Sequence, residues 1–248
     1  MNVSDIRKYF IDALANEEFT RDRTGSETIE MLGASFVADE PAVFGEVNED
    51  YVTNEIEWYH QMSTNVNDIY PDERPAPAAW KATANEHGEI NSNYGLLVFG
   101  GKYFNQFDRV VDELSRNPDS RRANMIYTRP SIWEEYDEAG KSDFICTNAV
   151  SYYIRDNAVH CVVQMRSNDL WAGYRNDRAW QLHTLKGVTR RLNNENEISL
   201  TVGKIHWQVQ NLHCYEKNFY LIDHCSKTDE IHITKPNYCE KYPNSKYI

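Results

Sequence analysis

The stretch between residues 150 and 165 constrains the fold most. Val150, Tyr152 and Ile154 alternate with other residues, Asp156-Asn157 follow, and Val159, Cys161, Val163 and Met165 alternate on the way back. Period-two patterning on both sides of a two-residue Asp-Asn break predicts an antiparallel hairpin with one face buried. The segments around it have helical period. Helices are predicted over residues 4–15 (Ser4 as N-cap; Ile6, Phe10, Ala13 and Leu14 inward), 50–62 (Val52, Ile56, Tyr59) and 102–116 (Phe104, Phe107, Val111, Leu114). The last of these stops at Asn117-Pro118, because proline cannot continue a helix. Further helices are predicted over 178–192 and 215–224. Strands are predicted over 28–36, with Ile29 and Met31 set against Thr28 and Glu30, over 198–202 and over 205–209. Helices packed on a mixed or antiparallel sheet make the expected class α+β.

The chain has 248 residues, with 26 Lys and Arg against 38 Asp and Glu, a net charge of −12. So acidic a chain is not built to coat nucleic acid, yet a few local cations can still hold a small anion. Mean hydropathy is −0.70, and no apolar run approaches the ~18 residues a membrane span needs. The first residues carry no cationic lead with an apolar stretch, so no signal peptide is expected. Five cysteines, none before Cys146 and none in a C-x-x-C pair, predict neither a disulfide framework nor a metal site and point to a reducing cytoplasm. Residues 70–77 (YPDERPAP) are expected to form a surface loop inside one domain, 1–248.

Arginines recur beside small polar residues: Arg23-Thr24-Gly25, Ser120-Arg121-Arg122 and Arg166-Ser167-Asn168-Asp169. A guanidinium fork with a hydroxyl suits a phosphate; the alternative is a solvated face with local ion pairs. Cys146 is either a small core residue or a nucleophile whose thiolate a nearby arginine would favour. Glu55 stands one position off the apolar stripe of its helix. It is either a rim carboxylate or one aimed into a cavity, with a raised pKa suited to proton transfer. His213 and Tyr215, spaced by two, face one side of an extended segment, either as packing or to grip a sugar hydroxyl.

Eight motifs in this order resemble the thymidylate synthase superfamily, and within it the phage deoxycytidylate hydroxymethylase branch. They are DRTG at 22–25, NEIEWY at 54–59, GEINSNYG at 88–95, NPDSRR at 117–122, CTNAVSYYIRD at 146–156, QMRSND at 164–169, GYRNDRAW at 173–180 and LHCY at 212–215. The resemblance implies a three-layer α+β sandwich. It implies that Cys146 is the nucleophile, that Glu55 organises water and proton transfer, and that Tyr94 stands near the cysteine. Arg23, Arg166 and Ser167 would bind the nucleotide phosphate. Arg121 and Arg122 would reach the same phosphate across a homodimer with shared active sites. His213 and Tyr215 would hold the deoxyribose hydroxyl. Trp80 and Asp169 would stand by 5,10-methylenetetrahydrofolate, Asp169 on the nucleotide side as well.

Ordinary thymidylate synthases carry Pro before the cysteine and His after it, where this chain has Ile145 and Thr147. They carry Asn in a Pro-Phe-Asn string, where this chain has Arg175-Asn176-Asp177. They end in an apolar tail that closes over folate, and residues 241–248 do not match it. Uracil offers an N3–H donor and an O4 acceptor; cytosine offers the reverse. A carboxyl serves cytosine by accepting from the N4 amine and donating a proton to N3. The expected reaction is therefore hydroxymethylation of dCMP, with Asp177 selecting the base. The alternatives are C5-methylation of dCMP or dUMP, and a non-catalytic nucleotide-binding protein. The bland reading of Asp177 is a helix cap. No membrane and no direct nucleic-acid contact are expected, and the place is the cytoplasm, that of the host if the chain is phage-encoded.

Overall fold

The computed structural model describes residues 1–72 and 74–248. The helices are α1 (Val3–Ala15), α2 (Glu49–Gln61), α3 (Ala78–Lys81), α4 (Tyr94–Phe99), α5 (Gln106–Arg116), α6 (Ile132–Glu135), α7 (Ala172–Asn196), α8 (Phe219–Thr228) and α9 (Lys235–Lys241). The strands are β1 (Thr20–Arg21), β2 (Glu27–Val37), β3 (Asn124–Ile126), β4 (Thr147–Arg155), β5 (Ala158–Asp169) and β6 (Thr201–Tyr215). They form one six-stranded sheet in the order β1-β2-β6-β5-β4-β3. The class is α+β, as expected. The described part of the 70–77 segment carries no helix or strand; residue 73 lies outside the described residues. No helix among the described residues is long and apolar enough to cross a membrane.

Two compact units divide the chain. One comprises residues 1–47, 165–179 and 205–248, the other residues 48–164 and 180–204. In the first, α1 buries the expected Ile6, Phe10, Ala13 and Leu14, with Val3 added. Its cap is Asn2, not Ser4: Asn2 Oδ1 accepts from Asp5 N (3.0 Å) and Asp5 Oδ2 accepts from Asn2 N (2.9 Å). This reciprocal box satisfies two donors that a Ser4 cap would leave bare. β2 runs antiparallel to β6, from Thr28 opposite Tyr215 to Val37 opposite His206.

The expected alternation in β2 does not run its whole length. Ile29, Ala34 and Phe36 are buried, so the inward parity changes between residues 29 and 34, where Gly33 has φ +69°. Thr28 is buried too, its hydroxyl 2.9 Å from that of Thr20, and Leu32 is exposed. β6 changes parity at the same level, burying Ile205, Trp207 and Val209 and then Leu212 and Cys214. A left-handed glycine is the residue that lets a strand rotate in this way.

β6 also replaces two expected strands with one of 15 residues. Gly203 lies inside the strand. A Cβ there would stand 2.7 Å from Val159 O, so the glycine permits close backbone approach, and Lys204 N donates to His160 Nδ1 (3.0 Å). The expected helix over 215–224 begins later, because Tyr215 ends β6 and a 3-10 turn precedes α8. α9, capped by Thr234 with a proline in its first turn, corresponds to no expected element.

In the second unit the hairpin of β4 and β5 matches the expectation. Asp156 (φ 49°) and Asn157 (φ 58°) are both left-handed, the geometry of a tight two-residue turn. The helix expected from residue 102 begins at Gln106. Asn105 caps it, and Phe104, at φ 67° and 78% exposed, lies outside it rather than in the core. α2 and α4 meet at Gly95, where a Cβ would stand 1.7 Å from Tyr59 O. Gly95→Ala should therefore force these helices apart and lower stability by about 2–4 kcal/mol, measured by urea unfolding. A loss below about 0.5 kcal/mol, the scale of an ordinary surface change, would contradict this packing.

Candidate active site

Within the second unit, α2 turns Val52, Asn54, Glu55, Trp58 and Tyr59 inward. Ile56, expected inward, is only half-buried. Glu55 is 5% exposed, so it is not a rim carboxylate. Tyr51, one turn earlier on the same helix, donates its hydroxyl to Glu55 Oε1. The Trp80 indole N–H donates to the same oxygen (3.2 Å) and to Tyr51 Oη (2.8 Å). Burial pushes the Glu55 carboxyl up to about 7, outweighing the hydrogen bonds from Tyr51, Trp80 and Tyr59 that favour its charge. Burial and the Glu55 charge hold the Tyr51 phenol well above its ordinary range, so Tyr51 remains a donor. A carboxyl that titrates near neutrality can both take and release a proton.

Tyr94 opens α4 and stacks on Tyr59, with ring centroids 5.4 Å apart. Its hydroxyl oxygen accepts from Thr147 Oγ1 (3.0 Å), and Thr147 follows Cys146 in the chain. Packing and hydrogen bonds thus run from Glu55 through Tyr59 and Tyr94 to the backbone that carries Cys146. Cys146 is half-buried, just before β4. Two other cysteines are poor nucleophiles: burial raises the thiol of Cys225, and burial with the Asp169 charge raises that of Cys214 much further. Arg121 and Arg122 are exposed, and Arg122 pairs with Glu113 (3.0 Å).

The first unit carries the other expected residues. Arg23 is exposed in a turn that Asp22 braces by accepting from Thr24 N (2.8 Å) and Ser26 N (3.0 Å). Arg166 and Ser167 are half-buried near the end of β5. Asp169 caps α7, its Oδ2 accepting from Ala172 N (2.8 Å) and Gly173 N (3.3 Å). The helix therefore starts at Ala172 rather than at residue 178. Asp177 lies inside it and is not its cap, which removes the bland reading of that residue. Asp177 Oδ2 accepts from Asn168 Nδ2 (2.8 Å). His213 and Tyr215 stand side by side as expected, ring centroids 4.9 Å apart. His213 Nδ1 lies 3.1 Å from Asn211 Oδ1, and Leu170 N donates to His213 O (2.8 Å).

Three contributors are not marked out by the sequence for these roles. Tyr51 and Tyr59 flank Glu55 at helical spacing, a signal that packing alone also explains. Asn168 lies inside the QMRSND motif, where nothing sets it apart from its neighbours. Among the described residues no group of three or more His, Cys, Asp or Glu side chains is placed to hold a metal ion.

A thymidylate synthase family profile matches residues 8–236. The chain belongs to the thymidylate synthase family. It is 47% identical over 243 residues, 98% of each chain, to the deoxycytidylate 5-hydroxymethyltransferase of Enterobacteria phage T4, and 47% identical over 96% of each chain to that of phage T6. A thymidylate synthase of Francisella philomiragia is 25% identical over 79% of this chain and 74% of its own. The crystal structure of thymidylate synthase from phage T4 shares the fold, with TM-score 0.70, 19% identity and coverage of 93% of this chain and 81% of that one.

In this family member the buried Glu55 should leave a mark on stability. Below its ordinary value of 4.5 the carboxyl is protonated whether the chain is folded or not. As pH rises from 4.5 to about 7, the unfolded chain loses the proton while the native state retains it, so stability falls. The full loss is about 3 kcal/mol. Glu55→Gln should remove this dependence and be the more stable protein above neutrality. Parallel stability–pH curves for the two proteins would contradict the buried, proton-retaining carboxyl.

Proposed function

We propose that the chain is a dCMP hydroxymethylase, which places a one-carbon unit on C5 of dCMP and adds water to give 5-hydroxymethyl-dCMP. The observation that carries this reading is Asp177. Asp169 caps α7, so Asp177 is not needed there and sets a carboxyl where ordinary thymidylate synthases carry an amide. The phage relatives bearing the hydroxymethyltransferase name support the same reading.

The Cys146 thiolate adds to C6 of the pyrimidine. Asp177 donates a proton to N3 and accepts from the N4 amine, which selects cytosine and makes its ring more electrophilic. Arg23, Arg166 and Ser167 grip the phosphate, joined by Arg121 and Arg122 of a second copy in a homodimer. His213 and Tyr215 hold the deoxyribose hydroxyl. Methylenetetrahydrofolate would supply the one-carbon unit when bound, and C5 of the pyrimidine gives up its proton to solvent as its exocyclic methylene forms. Trp80 and Asp169 would hold the folate. Asp169 fits this role because its Oδ1 is a buried acceptor without a protein partner, suited to a ring bearing N–H donors. Glu55, ionised in about half the molecules near neutrality, orients a water and accepts its proton as the oxygen bonds to the exocyclic methylene on C5. The C5–C6 double bond then re-forms and expels the Cys146 thiolate. Tyr94 braces the backbone beside the cysteine. The whole chain, 1–248, acts as one catalytic domain, and five free cysteines suit a reducing cytoplasm.

The test is to incubate the protein with methylenetetrahydrofolate and either dCMP or dUMP. dCMP should be converted to its 5-hydroxymethyl derivative in strong preference to dUMP. Asp177→Asn should shift the kcat/KM ratio towards dUMP by roughly tenfold to a hundredfold, the cost of a mismatched buried hydrogen-bond pair. Equal turnover of dCMP and dUMP would contradict the reading, and a ratio unchanged in Asp177→Asn would remove Asp177 as the base contact.

A further inference from the structure

Asn168 is only 3% exposed, and its side-chain Nδ2 donates 2.8 Å to Asp177 Oδ2. In this pair the amide turns its nitrogen to Asp177, so Oδ2 of the acid is an acceptor there. Asn168 Oδ1 is buried without a partner. A side chain that leaves one polar atom unsatisfied is not held there by its own hydrogen-bonding needs.

Gly173 is part of the same arrangement. It stands one helical turn before Asp177 on α7, on the same face. A Cβ at residue 173 would lie 3.1 Å from Asn168 Nδ2 and 3.4 Å from Asp169 Cβ. The missing side chain is what leaves room for the Asn168 amide on its way to Asp177.

We infer that Asn168 is a positioning residue that assigns the two oxygens of Asp177 to the two polar atoms of the cytosine edge. The inference rests on the reading of Asp177 as the base contact. An oxygen that accepts from Asn168 is held as the carbonyl-like oxygen of the acid, because a carboxylic hydroxyl is the weaker acceptor. The proton therefore sits on Oδ1. Oδ1–H donates to N3, and the second lone pair of Oδ2 accepts from the N4 amine. With the oxygens exchanged, N3 would meet a lone pair, and two acceptors would face each other. Asn168 thereby sets the direction of the donor–acceptor pattern that Asp177 only makes available.

The experiment is a double-mutant cycle of Asn168→Ala and Asp177→Asn, with kcat and KM measured for dCMP and dUMP and thermal unfolding followed for each protein. Asn168→Ala should lower kcat for dCMP by roughly ten- to a hundredfold, the scale of losing one partner of a buried hydrogen bond. KM should move little, because the phosphate grip is intact. The dCMP/dUMP ratio should fall by about tenfold, and in the Asp177→Asn background the same change should alter the ratio by less than about threefold, since the two residues act as one unit. Gly173→Ala, which keeps both polar groups but crowds the amide, should lower the ratio in the same direction, and it carries the test if Asn168→Ala does not fold. Equal losses on both nucleotides, undiminished in the Asp177→Asn background, would make Asn168 a packing residue and overturn the inference while leaving the base contact standing. A ratio unmoved by Asp177→Asn would instead overturn the base contact and the inference with it.

Discussion

A carboxyl group buried on α2 is the interaction on which the proposed chemistry depends. Taking Glu55 out of water disfavours its charge, and three hydrogen-bond donors only partly restore it, so the group settles near 7. Each donor is itself held. Tyr51 shares the helix, Trp80 also binds the Tyr51 hydroxyl, and Tyr59 packs on Tyr94. Tyr94 is in turn tied to Thr147, next to Cys146 in the chain. Changing the acid would therefore disturb aromatic packing that reaches the Cys146 segment, and the close approach of α2 and α4 at Gly95 keeps that packing in place.

The proposed base recognition depends on a division of labour between two aspartates. Asp169 takes the backbone donors at the start of α7. Asp177, within the helix, takes a side-chain amide instead. Asp169 holds the helix start with one oxygen, and Asp177 is the one proposed to meet the base. The family's fold is common to proteins named for thymidylate synthesis and for deoxycytidylate hydroxymethylation, so the choice of base has to reside in a few such side chains rather than in the architecture.

The sequence makes the structure legible where local chemistry decides it. Asp156-Asn157 tolerates left-handed backbone, so the hairpin follows directly. The inward face of α1 follows from its spacing. What stays hidden depends on contacts distant in the chain. The break expected between strands 198–202 and 205–209 is absent, because the close approach of Gly203 to Val159 O involves another strand. The start of α7 is misplaced because its cap, Asp169, lies several residues ahead of the helical period read from residue 178. Glu55 can be seen beside an apolar stripe, but its burial depends on Trp80, which comes from beyond the 70–77 segment. Phe104 fails for a different reason: an apolar residue on the helical period is stopped by the left-handed cap at Asn105.

In the proposed reaction, water deprotonated by a buried carboxyl completes the product. Turnover of dCMP in oxygen-labelled water, with the nucleotide weighed and the folate product followed, measures it directly. The expected product is a hydroxymethyl group carrying one solvent oxygen, with release of tetrahydrofolate. A methyl group on the nucleotide, with dihydrofolate appearing in step, would contradict it.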